Sequence, residues 1–336
     1  MAHGADVVLF DVPSSNKSSH VAAGLWNPIV LKRMKKVWLA DEMIAELEYV
    51  YPDMQNWTGE QFYHPLPLRH LFASNGERNQ WEELVAHPGF STYLQPASSA
   101  VPTPILGSFG SGLTARTGRV NVSRMINSVK AQLANKRAYR EEQFQWQLLQ
   151  QTPEGVVYAR DLHAHRVISC EGIQSALSKH SLPLQGFSPA KGEILKLQLP
   201  QSLNGECVHS KHFILDEGNQ TATVGATYAW DGFELGPTAA KRRELEQHVE
   251  RTLSCPFEVV EQFEGVRPAT QDRRPMVGPH PNLEHTYVFN GMGSRAVLMA
   301  PYLARQLSEH LLYGVPLLAE LDPKRFEKST KEASSR

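Results

Sequence analysis

Residues 7–10 form an unbroken apolar run behind a glycine turn at Gly4 and are closed by Asp11, a pattern that predicts a short strand ending in a carboxylate. Residues 12–17 read as a loop, and residues 18–28 are a run rich in small side chains. Helical spacing of apolar positions follows over residues 36–49, while residues 101–118 are rich in Pro, Gly, Ser and Thr and predict loop with a short strand. Residues 122–138 carry helical spacing with Asn121 and Ser123 as candidate caps. Phe144, Trp146 and Leu148 alternate with glutamine, a strand period, and residues 166–170 predict a further strand that ends at Glu171-Gly172.

Beyond that point the pattern becomes antiparallel in character. Residues 193–199, 208–215 and 221–228 are β-rich runs separated by Pro, Asn and Gly turns, as in a meander. A charged amphipathic helix is predicted over residues 239–253, strands over 259–264 and 286–289, and a helix over 296–313 after the glycine-rich stretch Gly291-Met-Gly-Ser-Arg295. The Ser- and Lys-rich tail from Lys324 is expected to fray. The fold class is therefore mixed α/β (α+β): a parallel, nucleotide-binding type of lobe built from both ends of the chain brackets a central antiparallel part.

Composition narrows the function classes. A net charge of −1 with cations and anions interspersed gives no basic stripe, so nucleic acid is not an expected partner. No run of about 20 apolar residues predicts a membrane span, and no secretory signal is visible, so a cytoplasmic location is expected. The three cysteines, Cys170, Cys207 and Cys255, lack metal or dithiol spacing and read as buried small apolar residues. His163 and His165, and likewise His209 and His212, have no carboxylate or cysteine at ligand spacing, so they read as loop and strand polar groups and no metal is expected.

Asp11 is the first candidate for chemistry. An acidic residue at the end of the second strand of a dinucleotide-binding unit accepts from ribose hydroxyls and follows a glycine-rich turn by about 20 residues; a turn or cap aspartate is the other reading. No such turn precedes Asp11, and the expectation is that Met1 is an internal helix methionine, with about 30 residues carrying the first strand and turn before it, leaving an exposed edge beside residues 7–10.

The ordered blocks resemble the D-amino-acid oxidase and glycine oxidase family of flavoproteins. They are Asp11 closing a strand, Ser18-Ser19 with Ala22-Ala23-Gly24, Ser-Cys-Glu171-Gly172, Lys191-Gly192-Glu193, Val224-Gly225-Ala226-Thr227, the run Gly265-Val-Arg267-Pro through Pro275-Met-Val-Gly278, and Phe289-Asn-Gly291 through Pro301. The resemblance implies non-covalent FAD, with contacts at Asp11, Val12, Ser18, Ser19, Ala23, Gly24, Leu25, Phe144, Gly172, Gly293, Ser294, Ala296 and Val297. It also implies a cofactor lobe of residues 1–50, 120–185 and 265–330 and a substrate lobe of residues 51–119 and 186–264.

Each block also has a physical reading of its own. Small side chains at Ala22, Ala23 and Gly24 admit a flat ring or diphosphate close to the main chain, or simply form a packing turn. The turn before the helix over 296–313 offers N–H groups and a positive dipole end to an electron-rich flavin edge, or is a plain connection. Arg267 has the planar fork that binds a carboxylate through two hydrogen bonds, though arginine more often serves in an ion pair. Tyr228, with Trp230, is a candidate pocket wall and Arg295 a second cation. The implied reaction is oxidation of the C–N bond of a small amine or amino acid by hydride transfer to flavin. Two alternatives are a non-catalytic remnant of such a flavoprotein that no longer binds FAD and, against the late blocks, a nicotinamide dehydrogenase. Substrate identity, electron acceptor and oligomeric state stay open.

Overall fold

The computed structural model describes residues 4–12 and 18–327. Met1, residues 13–17 of the expected loop and the tail beyond residue 327 lie outside the described residues. The chain divides into two compact units, one of Met1–Ser15, Val129–Ala190 and Val266–Arg336, the other of Asn16–Ser128 and Lys191–Gly265. Residues 16–50, grouped with the cofactor lobe on sequence, thus cluster with the second unit.

The first unit carries the parallel pairings. Strand Leu9–Phe10 runs parallel to Tyr139–Arg140, with the Leu9 N–H donating to Ala138 O (2.8 Å) and the Asp11 N–H to Arg140 O (3.2 Å). Among the described residues that strand has this single partner, and Val7 and Val8 ahead of it are exposed. Strand Val167–Ser169 runs parallel to Thr286–Asn290, which pairs antiparallel with Met276–Pro279 on its other side. Leu182, Met276, Val288 and Phe326 form the apolar core beside this sheet. Helix Ala296–Tyr313 has the predicted bounds; its buried stripe is Leu298, Met299, Leu303 and Leu307, and Gly314 (φ 71°) ends it in the left-handed conformation.

The second unit is dominated by a seven-stranded sheet in the order Glu258–Arg267, Ala190–Gln198, Thr221–Gly225, Phe213–Gly218, Cys207–His209, Leu68–Leu71, Ser111–Thr114. Helix Ala239–Thr252 lays Leu245 and Val249 on one face of it, against Leu195, Leu197, Val208, Ile214 and Val224. Each of these fully buried aliphatic side chains contributes about 1.5–3 kcal/mol of burial free energy. Asn121 caps helix Val122–Asn135 by accepting from the Arg124 N–H at 3.1 Å, whereas Ser123 lies inside the first turn and donates to His20 O.

Several sequence expectations need correction. The central sheet is mixed, because Cys207–His209 runs parallel to Leu68–Leu71 while its other neighbour, Phe213–Gly218, is antiparallel to it. Residues 208–215 are two strands of a hairpin, folded back at Ser210–Lys211 with the Ser210 N–H donating to His212 O. The helix expected over 36–49 is Ala40–Thr58; Lys35–Lys36 pairs as a strand instead, and the helix runs on through Pro52 to Thr58, where Gly59 caps it. Phe144–Leu148 is no strand: Trp146–Leu148 is a 3-10 turn, and the alternation of aromatics arises because their rings converge on one cluster. Of the tail expected to fray from Lys324, residues 324–326 lie instead in the 3-10 turn Pro323–Phe326, which buries Phe326, and residues 328–336 lie outside the described residues. Cys207 is buried, but Cys170 is exposed and Cys255 half-buried. Among the described residues no helix is long and apolar enough to cross a membrane, and no group of three or more His, Cys, Asp or Glu side chains could hold a metal.

The second unit buries a set of imidazoles. His70 and His209 face each other through their Nδ1 atoms at 3.3 Å, Glu77 lies 3.0 Å from His70 Nε2, and the rings of His212 and His248 meet edge-on at 5.1 Å. Burial, reinforced by neighbouring histidines, pushes His209 down to about 3 and His248 down to about 4. These bases are neutral in the folded protein where the unfolded chain, with an ordinary value of about 6.5, takes up protons. Stability is therefore expected to be full above about pH 6.5 and to fall as pH drops toward 4, by up to about 1.4 kcal/mol per pH unit for each histidine. Urea midpoints at pH 7, 6 and 5 check this; a His248→Asn variant should have a shallower slope by about one proton, and a flat profile in the parent protein would refute the assignment.

Candidate functional site

The strand that starts the first unit delivers Asp11 to its C-terminal end, half-buried, where helix Val122–Asn135 brings Lys130 into an ion pair with the Asp11 carboxylate. Phe10, one residue earlier, meets Phe144 (5.3 Å between ring centres, 82°) and Tyr158 (5.2 Å) edge-on, and Phe144 stacks on Tyr158 at 4.3 Å. Val12 follows Asp11, half-buried. Phe144 touches Trp146 at 4.9 Å, and the Trp146 Nε1–H donates to Glu171 Oε1 at 3.0 Å. The other carboxylate oxygen of Glu171 accepts from Ser169 Oγ (2.8 Å) and from the Leu182 N–H (3.2 Å). Glu171 thereby fixes the end of the parallel strand Val167–Ser169.

Gly172 comes next, with φ 57°, and an added Cβ there would meet no atom within 4 Å. Its carbonyl accepts from Asn290 Nδ2 at 2.9 Å, the same amide donates to Ser175 Oγ at 3.1 Å, and Asn290 Oδ1 accepts from the Gly291 N–H at 2.8 Å. Buried Asn290 thus joins the ends of two neighbouring parallel strands to the glycine turn that precedes helix Ala296–Tyr313. In that turn Gly293 adopts φ 55° and donates its N–H to Pro268 O at 3.2 Å, and Ala269 bridges Met292. Those two contacts bring Arg267 to the turn. One Arg267 NH1 hydrogen reaches Ala190 O at 3.5 Å. Ser294 and Ala296 are exposed at the start of the helix, with Arg295 and Val297 half-exposed beside them.

The structure therefore brings Asp11, Val12, Phe144, Gly172, Arg267, Gly293, Ser294, Arg295, Ala296 and Val297 into one unit, and links Phe10, Phe144, Glu171, Gly172, Gly291, Gly293 and the Arg267 strand by successive direct contacts. Ser18, Ser19, Ala23, Gly24, Leu25 and Tyr228 belong to the other unit. There, Ser18 and Ser19 open the short helix Ser18–Val21, and Leu25 pairs with Arg119 in a three-stranded sheet. Gly24 has φ 71°, and a Cβ on it would lie 1.8 Å from Val120 O, so this glycine is required by a close backbone approach. Tyr228 is 50% exposed and Trp230 70% exposed, their rings 6.5 Å apart.

Three residues here were not singled out as site residues on sequence. Lys130, Trp146 and Asn290 each act through one polar group placed by a different element. Asn290 had a local signal, as the residue between an apolar strand and a glycine turn. Lys130 had none, because its pairing with Asp11 follows from helix packing alone.

A family model described as FAD dependent oxidoreductase (DAO) matches residues 1–310. This chain belongs to the DAO family of FAD-dependent oxidoreductases. Its fold is also that of solved DAO-like structures. The iminodiacetate oxidase IdaA of Chelativorans sp. BNC1 superimposes with a TM-score of 0.77 at 19% identity, over 97% of this chain and 93% of that one. Glycine oxidase from Geobacillus kaustophilus gives 0.76 at 19% identity, over 95% and 92%. L-amino acid deaminase from Proteus vulgaris gives 0.75 at 12% identity, over 97% and 92%.

The residues present fit the family's cofactor. Gly172 leaves open the volume that a side chain would fill, and the 18-residue helix Ala296–Tyr313 directs its N-terminal dipole end at the glycine turn. The Asp11 carboxylate, a hydrogen-bond acceptor at the end of a parallel strand, suits sugar hydroxyls.

Proposed function

We propose that this DAO-family protein oxidises the C–N bond of a small amine or amino acid, using FAD held without a covalent link. The observation that carries the reading is the continuous set of contacts in the first unit, from the Asp11 strand end through Phe144, Glu171 and Gly172 to the Gly291–Gly293 turn and Arg267. FAD, when bound, supplies the hydride acceptor. Asp11 accepts hydrogen bonds from the ribose, sharing its charge with Lys130. Gly172 and the backbone near Phe144 allow the cofactor close to the main chain. The turn Gly293-Ser294 and the first N–H groups of the helix, at Ala296 and Val297, face the negative charge that develops during the reaction and stabilise it. Arg267 holds the substrate carboxylate and so fixes the reacting carbon, with Arg295 as a further cation. Substrate enters as the neutral amine, and the imine product is hydrolysed by water.

The test is direct. The purified protein, titrated with FAD, should acquire flavin absorbance and a higher melting temperature, as ligand binding to the native state requires. Glycine, iminodiacetate or another small amine added without oxygen should then bleach that absorbance. Failure to bind FAD would favour the non-catalytic reading; binding without bleaching by any amine would overturn the substrate class.

A further inference from the structure

The second unit carries a half-open cavity of about 290 Å3. One wall is the face of the seven-stranded sheet turned away from the apolar core. Ala222 and Val224 point into that core with Leu195 and Leu197, so by strand alternation Thr221, Thr223, Ile194 and Lys196 point into the cavity. Lys196 and Thr223 are direct cross-strand partners. Opposite them, strand Gly118–Val120 contributes Arg119, and the start of helix Val122–Asn135 closes the wall.

The charges do not cancel. Glu217 Oε1 accepts from Arg119 NH1 at 2.9 Å, and Glu217 Oε2 pairs with Lys196. Two cations share one carboxylate, which leaves one positive charge beside the cavity. The helix adds donors: its Arg124 N–H is taken by the Asn121 side chain and its Met125 N–H by the Asn121 carbonyl, while the Val122 and Ser123 N–H groups precede any intrahelical partner. The independent sign is Thr223. The residue is 1% exposed, and its hydroxyl is buried with no hydrogen-bond partner. A buried hydroxyl left unpaired is unfavourable, and such groups point to a ligand that completes them.

We propose that this cavity binds the oxyanion of a small molecule, a carboxylate or a phosphate, between Arg119, Lys196, the Thr223 hydroxyl and the N–H groups of Val122 and Ser123. The site draws on no residue of the first unit; Ala22 and Ala23 also line it, and Ala23 is among the residues the family resemblance places at FAD, but the proposed anion ligands Arg119, Lys196, Thr223, Val122 and Ser123 are not. The volume suits a compact acid, being at the small end for ligand pockets.

Calorimetric titration of the whole protein at neutral pH with inorganic phosphate, and separately with malonate, tests the site. At least one should bind saturably; phosphate alone identifies a phosphate ligand, malonate alone a carboxylate, and both a site that reads charge and donors only. Arg119→Met and Lys196→Met should each weaken binding tenfold or more. Thr223→Val is the variant that keeps its shape and removes an unsatisfied group, so it should melt no lower than the parent while binding at least threefold more weakly. The proposal fails if neither anion binds at millimolar concentration, or if Thr223→Val and whichever charge variants fold bind as the parent does.

Discussion

Arg267→Met is expected to lower kcat/KM for an amino-acid substrate by about 10²- to 10⁴-fold while leaving the FAD affinity and flavin spectrum unchanged. The magnitude follows from the loss of two charge-assisted hydrogen bonds, each about 1.5–3 kcal/mol, against about 1.4 kcal/mol per factor of ten. Arg267 ends the strand Glu258–Arg267, and the segment after it is clamped by Ala269 bridging Met292 and by the Gly293 N–H bonding Pro268 O, so its backbone does not depend on the guanidinium. That separation is what makes the test specific. A primary amine without a carboxylate should lose far less on the same substitution, because it has nothing for the fork to hold. Steady-state rates for the two substrate types, with the flavin absorbance as a control, decide the point. Equal losses for both would remove Arg267 from carboxylate recognition.

Glu206→Ala is expected to destabilise the protein by about 3–5 kcal/mol, the cost of leaving a buried charge without its partner. Arg69 lies in the strand Leu68–Leu71 at 8% exposure and Glu206 is 9% exposed; the pair is bidentate, Nε to Oε2 at 2.6 Å and NH2 to Oε1 at 2.7 Å, and the remaining NH1 donates to Ser111 Oγ at 2.9 Å. This pair straddles the parallel junction of the large sheet, where Cys207 is opposite Leu68. Replacing both partners together, Arg69→Met with Glu206→Leu, should recover most of the loss, since two apolar side chains leave no orphaned charge. Urea unfolding of Arg69→Met, Glu206→Leu and the double variant gives the coupling directly. A Glu206→Ala variant as stable as the parent would show that the pair is solvated in the folded protein.

How much of this could be read from the chain depended on the length and locality of each element. Helix Ala296–Tyr313 has the predicted bounds because its apolar stripe repeats over five turns and Gly314 stops it. Helix Ala239–Thr252 and strand Thr286–Asn290 were legible for similar reasons. Strand Leu68–Leu71 was not, since its buried residues include Arg69 and His70, whose polarity is satisfied by Glu206 and Ser111 and by Glu77 and His209 from elsewhere in the chain. Phe144 and Trp146 imitated a strand because the Phe144 ring answers to Phe10 and Tyr158 and Trp146 to Phe144 and Glu171, not to a ladder partner. At the site, the glycines were visible and their supports were not: Gly172 is marked by following an apolar run, but the Asn290 amide that holds its carbonyl belongs to a strand joined only by the fold.

The division of the chain also sets an order of events during synthesis. The second unit needs strand Glu258–Arg267 beside Ala190–Gln198, and the first needs strand Thr286–Asn290 to pair with Val167–Ser169 and Met276–Pro279. A ribosome that has released the Asp11 strand must therefore make most of the protein before either unit can close. The early segments stay an open chain until then, with their apolar strands exposed to neighbouring nascent chains.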